Sequence, residues 1–106
     1  RLNGWTRRFD VNRTEHLLVC LAEECDEVGQ RVSKALRFGL TEVQEGQPLS
    51  NADRIFEEMR DLWSVLEILQ DDGVLPALGM SSADVDRKRA KIERFMAISR
   101  DQGVLS

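Results

Sequence analysis

The chain has 106 residues, 42% of them hydrophobic and 32% charged, and its 15 Lys and Arg against 19 Asp and Glu leave a net charge of −4. That composition describes one small globular domain, residues 1–106, and excludes a disordered or membrane-spanning chain. The acidic balance excludes a dedicated DNA or RNA binder, which needs a concentrated basic surface, but leaves room for a phosphate-bearing small ligand held by a local cluster of Lys and Arg.

Asn12 followed by Glu15 is a capping-box pattern, and from there Leu17, Leu18, Leu21, Cys25, Val28, Val32, Ala35 and Leu36 recur at helical spacing up to Gly39. The pattern predicts a first helix over 13–38, ended by Gly39 as a left-handed cap and favoured electrostatically by Lys34 and Arg37 near its C-terminus. A polar loop rich in Gly and Pro follows. Ser50 with Asp53 opens a second helix over 51–72, whose stripe is Ile55, Phe56, Met59, Leu62, Trp63, Leu66 and Leu69. Ser81 with Asp84 caps a third over 82–102, carrying Val85, Ile92, Phe95 and Met96. No stretch alternates with period two, so the fold class is all-α, an antiparallel bundle of three main helices. A chain this short buries a modest core, and completion by a second copy is the default expectation, as a homodimer or homotetramer.

Cys20 and Cys25 fall on different faces of the first helix, so they do not bridge each other and read as small buried hydrophobes in a reducing compartment. Neither a signal peptide nor a run of about 18 apolar residues is present, and a cytoplasmic location is the plain expectation.

The chemistry lies in where the acids fall. At about 100° per residue, with Leu17 at zero, the first helix's apolar arc runs from about 0° to 100°, and Glu24 near 340° and Glu27 near 280° lie on its flank. With Ile55 at zero on the second helix, Val65 and Leu69 carry the arc back to about 280°, so that Glu58, near 300°, sits inside it; Asp61, near 240°, lies between Val65 and Ile68, whereas Glu57 and Glu67 fall on the polar side. A carboxylate turned toward a core has to be neutralised by a proton, a cationic side chain or a metal. Arg31, near 320° on the first wheel, offers a structural salt bridge to one acid. It does not neutralise four. Charge alone favours one or two divalent ions, and the all-oxygen donor set with no His or Cys cluster favours Mg2+, with Mn2+ as a substitute.

The stretches Leu21-Ala-Glu-Glu-Cys-Asp-Glu-Val28 and Ile55-Phe-Glu-Glu-Met-Arg-Asp-Leu62 resemble the all-α nucleoside triphosphate pyrophosphohydrolases of the MazG-like superfamily, which carry Glu-x-x-Glu on one helix and Glu-x-x-Asp on the next. The likeness runs from about Leu17 to the third helix and includes the basic segment Arg31–Arg37. The segment between the two pairs is long for the family, and Arg60 stands where a small residue is usual. The resemblance implies Glu24, Glu27, Glu58 and Asp61 as metal ligands and catalytic groups, with one of them or Glu23 orienting a water. It implies a nucleoside triphosphate substrate cleaved to monophosphate and pyrophosphate, in house-cleaning of the nucleotide pool. A dUTP or dCTP specialist and a relative of phosphoribosyl-ATP pyrophosphohydrolase are the narrower expectations.

Lys34 and Arg37 are candidates to balance the phosphates, or they serve only as electrostatic caps. Trp5, Phe38 and Trp63 are candidates to stack on a base, although Trp63, mid-stripe, reads better as core. His16, near 260° on the first wheel, reads as a surface or interface residue. Two other classes stay open: a dimeric helical interaction module whose acids are bridged by Arg, and a nucleotide sensor that binds without turnover.

Overall fold

The computed structural model describes residues 11–77 and 79–106. Among these, the regular structure is three helices, α1 (Arg13–Phe38), α2 (Asn51–Asp71) and α3 (Ser82–Asp101), with one isolated bridge between Val43 and Ser50. The class is all-α, and no described helix is long and apolar enough to cross a membrane. The described chain divides after Pro76 into two compact units, the first built on α1 and α2 and the second on α3.

The helices start where polar side chains satisfy their first free N–H groups. Asn12 accepts from the Glu15 N–H at 2.8 Å while Glu15 reaches back to the Asn12 N–H, and Ser81 with Asp84 repeats the reciprocal arrangement on α3. Ser50 accepts from the Asp53 N–H at 3.2 Å. The exit of α1 differs from the expected left-handed cap. Gly39 has φ +100° and ψ 146°, outside the left-handed helical well but still a conformation that glycine reaches cheaply, and its N–H closes the last turn on the Ala35 carbonyl. By contrast, α2 ends in a Schellman motif: the Gly73 and Val74 N–H groups donate to the carbonyls of Gln70 and Leu69.

In the first unit α1 and α2 form an antiparallel hairpin. Its seam consists of Thr14, Leu17, Leu21, Glu24, Val28, Arg31 and Ala35 on α1, and Asn51, Ile55, Glu58, Leu62, Val65 and Leu69 on α2, all buried or half-buried. Their spacings alternate between three and four, the repeat that keeps one edge of a helix against its neighbour. Both ends are pinned by polar contacts. At the loop end the buried Asn51 amide donates to the Gly39 carbonyl at 2.8 Å and to Glu42 at 3.1 Å; at the other, Arg13 grips Asp72 with two hydrogen bonds, the shorter 2.7 Å.

Among the described residues the buried apolar side chains are Ala35 and Leu69, the latter completely. Several residues read from the sequence as core are exposed here: Leu18, Val32 and Leu36 on α1, and Phe56, Met59 and Trp63 on α2. A two-helix hairpin covers a narrow seam, and the rest of a broad apolar arc is left facing outward. Cys25, expected to be buried, is exposed for the same reason, and both cysteines are free.

Candidate metal centre

The alternation of three and four that builds the seam also seats charged residues on it. Glu24 and Glu58 occupy seam positions on opposite helices, and Glu27 lies one turn along α1 from Glu24. Each of the three offers a carboxylate oxygen, and these oxygens all lie within 4.8 Å of one another. The Oε2 atoms of Glu24 and Glu58 are buried without a hydrogen-bond partner. Among the described residues the ion pairs are Arg13 with Asp72 and Arg87 with Asp84, so no cationic side chain clasps any of the trio.

The electrostatics record the crowding. The Glu58 carboxyl is held above its ordinary value first by hydrogen bonding with Glu27, then by burial, then by the charges of Glu27, Asp61 and Glu24. Glu24 is also raised, by burial first and then by the charges of Glu27, Asp61 and Glu23. Buried carboxylate oxygens without a partner, drawn from hard donors alone, fit a hard divalent cation.

The remaining expected site residues fall around this trio. Asp61 is exposed and outside it, yet close enough for its charge to act on both Glu24 and Glu58. Half-buried Lys34 lies about two turns along α1 from Glu27. Arg37 is exposed in the last turn, its guanidinium 4.9 Å from the centre of the Phe38 ring. Trp63 is half-exposed rather than core, and its indole N–H donates to Glu67 at 2.9 Å. Trp5 lies outside the described residues.

Arg31 is the residue whose state the sequence did not disclose. It was the candidate partner for an acid, and instead its Nη1 is buried with no hydrogen-bond partner. It follows Glu27 by four residues, so the two side chains are neighbours on one face. The spacing 24, 28, 31 carries the signal for its seam position; the absence of a partner depends on distances that spacing does not give.

Compared with known proteins, the chain matches no family model, no curated protein and no solved structure.

Proposed function

We propose that the chain is a Mg2+-dependent nucleoside triphosphate pyrophosphohydrolase, with Glu24, Glu27 and Glu58 as the cation's ligands and Asp61 as a further carboxylate beside them. The observation that carries the reading is the meeting of three carboxylates from two helices, two of them with buried oxygens that nothing in the hairpin satisfies. When bound, the cation supplies charge stabilisation for the triphosphate and a more acidic water.

The chain's own groups have separate tasks. Lys34, half-buried on the flank of α1 that carries Glu27, supplies positive charge toward the triphosphate, and Arg31, four residues after Glu27, adds its charge from the seam. A carboxylate of the cluster, or Glu23, takes the proton from the water that attacks the α-phosphorus. The bond from that phosphorus to the bridging oxygen breaks, and pyrophosphate departs from a nucleoside monophosphate. Holding the reactants in line and facing fixed charges toward the developing ones supplies most of the rate. The resemblance to MazG-like enzymes points to surplus or non-standard deoxynucleotides as the substrate pool.

A helical interaction module is the second reading, favoured by the exposed apolar side chains of α1 and α2. It leaves the partnerless Glu24 and Glu58 oxygens unexplained. The deciding test is pyrophosphate release across a panel of ribo- and deoxynucleoside triphosphates with Mg2+ or Mn2+. Release from at least one nucleotide, lost in Glu58→Gln, is the expected result; silence across the panel with either ion contradicts the enzyme reading.

A further inference from the structure

Glu27, Arg31, Lys34 and Phe38 fall on one line along α1. At about 100° per residue with Leu17 at zero, they stand near 280°, 320°, 260° and 300°. Acid, cation, cation and aromatic thus follow one another down the flank that carries the carboxylate trio, and Phe38 lies roughly 16 Å beyond Glu27 at 1.5 Å per residue. Trp63, the other described candidate to stack on a base, stands near 80° on α2, across that helix's seam from Glu58 and Asp61, and so on the opposite side of the hairpin from the trio.

Phe38 borders a hollow. With Glu42 and Gln44 it lines a cavity of about 220 Å³ where α1 passes into the inter-helix loop. The ring is half exposed, and the Arg37 guanidinium sits over one of its faces, 4.9 Å from the centre, without taking part in the lining; the other face is left to the cavity.

The loop that carries Glu42 and Gln44 is held in shape. The Asn51 N–H donates to the Glu42 carbonyl at 2.9 Å, the Ala52 N–H to the Leu40 carbonyl at 3.0 Å and the Gln47 N–H to the Gln44 carbonyl at 2.9 Å. Val43 bridges to Ser50, so the backbone there is extended, and residues 42 and 44 on either side of it project to one face. Each of their side chains has one atom engaged: Glu42 Oε1 accepts from the buried Asn51 amide at 3.1 Å, and Gln44 Oε1 accepts from Arg54 at 2.8 Å. A guanidinium only donates, so Arg54 fixes which end of the Gln44 amide faces it and turns the Nε2 end away. Among the described residues, the second Glu42 oxygen and Gln44 Nε2 make no further hydrogen bond, which sets one acceptor and one donor beside an aromatic ring.

We propose that this hollow is the base subsite: a nucleobase stacks on Phe38 while Glu42 accepts from its ring N–H or amino group and Gln44 donates to the neighbouring ring nitrogen or carbonyl. Base edges present such donors and acceptors, and stacking on an aromatic face tolerates any base, so the ring supplies affinity and the loop pair supplies choice. An extended nucleotide with its α-phosphate on the trio's cation reaches the hollow past Arg31 and Lys34, whose charges lie along its phosphates and sugar. The inference rests on the pyrophosphohydrolase reading and adds to it the place of the base and the side chains that select it.

The test is calorimetric titration of the full 106-residue chain, in Mg2+, with the α,β-methylene deoxynucleoside triphosphates of adenine, guanine, cytosine, thymine and uracil, and with inorganic tripolyphosphate, which has the phosphates and no base. Wild type binds at least one of the nucleotides roughly tenfold or more tighter than tripolyphosphate. Phe38→Leu, which keeps apolar bulk and loses the flat face, brings that nucleotide down to the affinity of tripolyphosphate while leaving tripolyphosphate itself unchanged, and Phe38→Trp keeps the preference. Glu42→Gln, whose remaining oxygen still serves Asn51, weakens the preferred nucleotide and alters the ranking of bases. A preference that Phe38→Leu and Glu42→Gln both leave intact overturns the subsite and spares the pyrophosphohydrolase reading, as does a wild type that binds tripolyphosphate as tightly as every nucleotide. A chain that binds neither the nucleotides nor tripolyphosphate overturns both.

Discussion

Replacing Glu58 by Gln keeps the side chain's shape and removes its charge, and in the absence of divalent cations the account predicts a more stable chain. Glu58 faces carboxylate oxygens of Glu24 and Glu27 within 4.8 Å. At about 5 Å a like-charge pair costs about 0.8 kcal/mol in water and about 3 kcal/mol at an effective dielectric constant of 20. The cluster is open to solvent on one side, so the lower figure is nearer, and neutralising Glu58 relieves about 1–2 kcal/mol from two neighbours together. In a chain of this size that amounts to several degrees in Tm. The assay is thermal unfolding followed by circular dichroism in a chelator at neutral pH. Wild type gains stability on adding Mg2+, by about 1.4 kcal/mol at ten times Kd, while Glu58→Gln gains little. A Glu58→Gln variant less stable than wild type in chelator refutes the reasoning, because Glu58 would then be making a favourable contact in place of a repulsive one.

The remaining predictions follow from the same charges. Glu24 and Glu58 have raised folded-state values, so they favour the protonated folded chain: their contribution is fully present below the ordinary value of 4.5 and is lost as pH rises through the raised values. Asp72 and Asp84 are lowered, by hydrogen bonds from Arg13 in the first case and from the Ser81 backbone in the second, and their contribution is lost as pH falls through their depressed values. Metal-free stability accordingly declines as pH climbs above the ordinary carboxylate range, and Glu58→Gln flattens that decline; a pH series of melts in chelator reads it. Glu27→Gln, within the trio, weakens Mn2+ affinity by roughly tenfold, and Asp61→Asn, outside it, weakens it less. Parallel titrations of the two variants compare them.

The sequence revealed the helices and the acids to different depths. The three helices were legible because capping side chains and apolar spacing agree: α1 spans the expected 13–38, and α2 and α3 each end one residue sooner than expected. Glu58 was legible because it interrupts an apolar arc, and Glu24 because it borders one. Tertiary distance was not legible. Arg31 shares the acids' side of α1, and whether it reaches one of them depends on side-chain geometry across the seam. The wheel also overstated the core: Trp63 and Phe56 lie within the arc that pattern assigns to the interior, but a hairpin has only one neighbour per helix and leaves them exposed. The pattern makes Asp61 an equal of the other three acids, but about 60° round α2 from Glu58 it is exposed, at the margin of the cluster.

The central claim is that Glu24, Glu27 and Glu58 together hold a divalent cation, and the most direct measurement is a Mn2+ titration followed by the loss of the free-ion electron paramagnetic resonance signal. The account predicts saturable binding to the wild-type chain, competed by Mg2+ and weakened by roughly tenfold or more in Glu58→Gln. Wild-type protein that leaves the free Mn2+ signal unchanged, or a Glu58→Gln variant that binds as tightly as wild type, contradicts it.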